Sequence, residues 1–155
     1  MGCNAASYLL VSSLKGRVGA ELRTRQFGPM TSILLVDDDP LQASLILSVL
    51  EQRFGDVRRV TDAAEALCLI EQPQFADNLR LVIAGHHLPG MGGPVLVNEL
   101  RSRAPNLPIL VLGAVGETPA DYAEAHVCFL AKPFAAIKML NLASRMLADP
   151  KAAVA

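Results

Sequence analysis

The sequence predicts an α/β domain in which one parallel five-stranded sheet is covered by helices on both faces. Three observations lead there. From Thr31 onward, short apolar runs alternate with stretches of helical periodicity in five successive units. The first run, Ser32-Ile33-Leu34-Leu35-Val36, is continuous and β-branched, as a central strand covered on both sides requires. Of the 155 residues, 52% are hydrophobic and 19% charged, which supplies a substantial core and excludes a disordered composition.

Each element follows from local signals. Asp39-Pro40 starts the first helix, with Asp39 as N-cap and proline in the first turn. Leu41, Leu45, Val49, Ile46 and Leu50 are its expected buried stripe, and Gly55 ends it. Val57 to Val60 is a short, arginine-bearing strand suited to a sheet edge. Asp62-x-x-Glu65 forms a capping box for a second helix through about Glu71. Leu81 to Ala84 is the third strand; a Leu-Pro-Gly turn follows, and Pro94 opens a third helix bearing Leu96, Val97, Leu100 and Ala104. Ile109 to Leu112 is the fourth strand, Pro119 to Ala125 a short fourth helix, and Val127 to Leu130 the fifth strand. The fifth helix spans Phe134 to Leu147, with Ile137, Leu140, Ala143 and Leu147 expected inward.

This divides the chain into a tail over 1–30, a domain over 31–148 and a second tail over 149–155, with no effector domain expected. Leu10, Leu14, Val18 and Leu22 stand at helical spacing among basic residues, as in an amphipathic helix that Gly16 and Gly19 weaken. A loose tail, or an upstream extension of a gene starting at Met30, is the alternative. Residues 1–30 hold four basic residues against one acidic; the remainder holds ten against fourteen, so the domain is acidic. That balance speaks against nucleic-acid binding, which needs a basic stripe. No apolar run reaches the roughly 20 residues of a membrane span. Cys3, Cys68 and Cys128 have no metal-like spacing, and reduced thiols in the cytoplasm are expected.

Open α/β sheets bind ligands beyond the carboxyl ends of their strands. Those ends carry Asp37-Asp38-Asp39, Gly85-His86-His87, Gly113-Ala114 and Lys132-Pro133-Phe134. Adjacent carboxylates facing a lysine suit a hard cation and a phosphoryl group. With its motifs ILLVDDDP, LPGMGG and FLAKPF, the chain resembles the receiver domain of bacterial response regulators over residues 31–148. The resemblance implies a flavodoxin-like fold with strand order 2-1-3-4-5 and a role in two-component phosphorelay signalling. It also implies magnesium at the acid pair Asp37 and Asp38, a phosphate-contacting Lys132, a cis bond before Pro133 and a rotameric switch at Phe129. The fourth helix, fifth strand and fifth helix would form the partner-binding and dimerising face.

Two departures matter more. Three residues before the Leu-Pro pair, where the family carries its phosphoacceptor aspartate, stands Gly85. The family's Ser or Thr at the end of strand four falls on Gly113. Glycine presents no nucleophile, so the expectation is a receiver that is not phosphorylated at the usual place and works by binding a histidine kinase, a phosphotransfer protein or an effector. No cofactor is required by this reading. Asp38 is the candidate magnesium ligand, in a site weakened by its missing carboxylate. Alternatively Asp37, Asp38 and Lys132 form an ion-paired cluster without metal.

A second class of function is metal or small-ligand sensing through Asp37, Asp38, His86 and His87. Neighbouring histidines in an extended loop are expected to point apart, which argues against three convergent donors. His126 reads as structural. An inward-resting Phe129 above Gly113 is a further expectation. No enzymatic activity is expected, because no nucleophile–base pair or phosphate-cradling loop is present and Gly90-x-Gly92-Gly93 belongs to the turn.

Overall fold

The computed structural model describes residues 32–117, 119–122 and 126–150. Expectations for residues 1–30 and for the end of the C-terminal tail lie outside them. Five strands, β1 (Ser32–Val36), β2 (Val57–Val60), β3 (Leu79–Gly85), β4 (Ile109–Ala114) and β5 (Val127–Lys132), form one parallel sheet in the order β2-β1-β3-β4-β5. The arginine-bearing β2 is its edge strand. Helices α1 (Pro40–Phe54), α2 (Ala63–Ile70) and α3 (Gly93–Arg103) follow the first three strands, a helical turn Pro73–Ala76 precedes β3, and a last helix covers Ala136–Ala148.

Side chains alternate across the sheet, so each central strand feeds two cores. Leu34, Val36, Val82, Ala84, Ile109 and Val111 pack with α2 and α3 on one face. Ile33, Leu35, Leu81, Ile83, Leu110 and Leu112 pack with α1 and the last helix on the other. The helix starts are secured locally. Asp39 accepts the backbone N–H groups of Leu41 and Gln42 at 2.9 and 3.2 Å. Asp62 accepts that of Glu65 at 2.8 Å, while the Glu65 carboxylate reaches back to the N–H of Thr61. Gly90, in the turn after β3, has φ +78°, a conformation glycine adopts without steric cost.

Several expectations need correction. In α1 the buried residues are Ala43, Ile46 and Leu50; Leu41 and Leu45 are 78% and 73% exposed. Two apolar stripes overlap in this helix, and only one can face the sheet. The stripe that does is Ala43, Ile46 and Leu50, and in that orientation Gln42 turns toward Asp37. In the last helix Met139, Ala143 and Met146 are buried and Ile137 is exposed; the unbranched methionines fill the space against the sheet. Of the expected fourth helix, Pro119–Tyr122 forms a 3-10 turn and 123–125 lie outside the described residues. Cys128 carries a half-buried thiol. Among the described residues, no helix is long and apolar enough to cross a membrane.

Candidate functional site

The carboxyl ends of β1, β3, β4 and β5 open into one cleft of about 320 Å³, lined by Asp37, Asp38, Gln42, Gly85, Gly113 and Lys132 among others. Strand register brings these positions together: Gly85 stands beside Leu112, and Ala114 beside Lys132. The Lys132–Pro133 bond is cis, which turns the chain at the cleft's edge.

Asp37 is 3% exposed, a buried carboxylate that must be satisfied internally. Its Oδ1 accepts the Asp39 backbone N–H at 3.0 Å and its Oδ2 accepts the Gln42 side-chain amide at 2.6 Å. Arg59 donates to its backbone carbonyl from the edge strand at 3.2 Å. Among the described residues, Lys132 makes no ion pair with Asp37 or Asp38, so the expected ionic cluster is replaced by hydrogen bonds from Gln42 and the helix start. Asp38 is exposed. With both Asp37 oxygens engaged and no oxygen on Gly85, this donor set fits a magnesium ion poorly.

The two glycines differ physically. A Cβ on Gly85 would meet only ordinary contacts, the nearest being the His87 carbonyl oxygen at 3.5 Å. A Cβ on Gly113 would lie 2.5 Å from Cζ of Phe129 and would also collide with the Glu117 carboxylate. A side chain at 113 would therefore require the Phe129 ring and the Glu117 carboxylate to shift, whereas position 85 has room for one.

Beyond these lies a polar and aromatic cluster. Phe129 stacks on Tyr122 with ring centroids 5.7 Å apart and an interplanar angle of 19°. The Tyr122 hydroxyl bonds Nδ1 of His86. Gly93 makes that approach possible, since a Cβ there would collide with the hydroxyl. Burial, with the charges of Asp121 and Glu117 adding to it, pushes the Tyr122 hydroxyl up to about 12. His86 is pinned on both sides, its N–H donating to Leu112 at 2.9 Å and its carbonyl accepting from Gly93 at 2.8 Å.

His87 pairs through Nε2 with Glu117. The other Glu117 oxygen accepts the Ala114 N–H at 2.5 Å. Burial works against the Glu117 charge, but the Ala114 N–H and the two histidines outweigh it and hold the carboxyl below its usual range. The histidine rings do not point apart: their centroids are 4.8 Å apart, edge to face. The acidic residue beside them is Glu117 rather than Asp38. His126 stands aside from the cleft, its backbone at φ 66° and its ring Nδ1 donating to the Pro150 carbonyl.

Sequence reading missed Gln42, Glu117 and Tyr122. Gln42 had a signal, three residues after the Asp39 cap. Glu117 and Tyr122 had none, because their partners lie in a different loop.

This order of strands, acidic cleft and lysine has counterparts. The response regulator receiver domain family matches residues 33–144. The chain belongs to that family. Over 116 residues this receiver domain is 31% identical to the response regulator protein FleR of Pseudomonas aeruginosa, covering 73% of this chain and 24% of FleR. It is 35% identical over 104 residues to the two-component response regulator ORR23 of Oryza sativa, covering 67% and 15% of the respective chains. The receiver domain of NtrX from Brucella abortus superposes with a TM-score of 0.66 at 27% identity, covering 76% of this chain and 98% of that one. A receiver protein from Sinorhizobium medicae shares the fold, with a TM-score of 0.70 at 20% identity over 77% and 96% of the two chains. This receiver domain spans about a quarter or less of these curated relatives. It is a receiver domain of the two-component response-regulator kind.

Proposed function

We propose that this receiver domain relays its signal by binding another protein and takes no phosphoryl group at the end of β3. Gly85 carries that reading: it closes the strand, lines the cleft with Asp37, Asp38 and Lys132, and offers no oxygen to a donor. Phosphoryl transfer to a carboxylate needs an oxygen presented in line while nearby cations neutralise the developing charge. Asp37 does not supply it, being committed to Gln42 and Asp39.

The partner in this reading is a histidine kinase, a phosphotransfer protein or an effector. The domain acts without a catalytic step of its own, in the cytoplasm where such relays operate. Control comes from its amount or from competition with a phosphorylatable relative. The face formed by the 3-10 turn, β5 and the last helix is the surface proposed for self-association. Phe129, resting in the space above Gly113, holds the switch position in one state and supports a fixed rather than a gated output.

The test is incubation with acetyl phosphate and magnesium chloride, followed by intact mass and peptide mapping. The expected result is an unmodified chain. A stable phosphoryl adduct on Asp37 or Asp38 overturns the proposal.

A further inference from the structure

We infer that His86, His87 and Glu117 form a binding site for a divalent transition metal of the zinc type, distinct from the acid pair. One ligating atom from each of the three lies within 4.8 Å of the others. Two imidazoles and a carboxylate are a donor set that borderline divalent cations accept and that magnesium does not favour. Two of the three are already oriented from outside. Tyr122 engages Nδ1 of His86, and the Ala114 N–H holds the far oxygen of Glu117. Such outer partners lower the cost of assembling a metal site. In their absence, adjacent histidines in a loop would seldom converge; here the backbone bonds of His86 to Leu112 and Gly93 set the two rings edge to face.

The contact between His87 and Glu117 is the cation's place-holder. A proton between them does what a metal would do more strongly, and metal binding releases it. The His87 side chain is 82% exposed, so the remaining coordination positions face solvent and are open to water or to a ligand from a docked protein. The metal would join the loop after β3 to the loop after β4. Glu117 also stands over Gly113, beside the Phe129 ring, so the site adjoins the switch position. This inference does not depend on the phosphorylation state proposed above.

Isothermal titration of the full chain with zinc chloride tests it, with magnesium chloride as competitor. One zinc per chain is expected, undisturbed by excess magnesium. His87→Ala, at the surface, and Glu117→Gln, which keeps the side chain's shape, should each abolish that isotherm, and Tyr122→Phe should weaken it by about tenfold. Retention of zinc binding in both of these variants overturns the inference, as does loss of binding in Asp38→Asn, displacement by magnesium, or no detectable zinc binding. X-ray absorption of the zinc-loaded chain should show imidazole scattering; a thiolate-ligated zinc would equally sink the assignment.

Discussion

The ring of Phe129 fills the volume into which any side chain at position 113 would project, with Cζ 2.5 Å from where the Cβ would stand. The position that reads a phosphoryl group in the resembling family is thus closed by packing. Position 85 is not: it lacks a side chain in a place where one fits.

Those two glycines should therefore respond oppositely to alanine. Gly113→Ala forces the Phe129 ring or the Glu117 carboxylate to move, and overpacking of this kind costs about 1–3 kcal/mol. Gly85→Ala, in an extended strand with ordinary contacts, should be stabilising by about 0.4–1 kcal/mol through the unfolded chain. Urea denaturation of both variants checks this. Equal destabilisation would show that the ring is not what requires glycine at 113.

Restoring the missing oxygen tests the chemical consequence directly. Gly85→Asp should fold as the parent does, and with acetyl phosphate and magnesium chloride it should gain a phosphoryl group at position 85 that the parent lacks. A variant that folds yet stays unlabelled would show that Gly113 or the committed state of Asp37 has disabled the cleft as well.

The orientation of α1 makes a separate claim. Leu41→Ser and Leu45→Ser touch exposed side chains and should change stability by no more than about 0.5 kcal/mol. Ile46→Ala empties a buried position and should cost about 2–5 kcal/mol. Reversal of that order in thermal or urea unfolding would mean that the helix presents its other stripe to the sheet.

Tyr122 gives a pH signature. Burial raises its hydroxyl to about 12, so the folded state holds that proton more tightly than an unfolded chain does. Its contribution to stability is complete below the ordinary tyrosine range near 10 and is lost as pH rises through 12. In a Tyr8→Phe background, which leaves Tyr122 as the single tyrosine, tyrosinate absorbance should appear near 12. Ionisation near 10 would place the ring in water rather than against Phe129.

Sequence alone determined what depends on near neighbours. The continuous apolar runs of β1 and β3, the Asp39 and Asp62 caps, and the turn at Gly90 are settled within a few residues by burial on both faces, capping and φ, and they were legible. So were the strand-end positions of the acid pair, Gly85 and Lys132, because βα connectivity places all strand ends on one side. What tertiary structure alone decided is rotation and convergence. The buried stripe of α1 depends on which face packs against Ile33, Leu35, Leu81 and Ile83 of the sheet, and two apolar stripes left that open. The meeting of His86 with Tyr122, 36 residues on, and of His87 with Glu117 depends on two loops being brought together at the carboxyl end of the sheet. No periodicity encodes such contacts, since their geometry is set by the packing of strands between them.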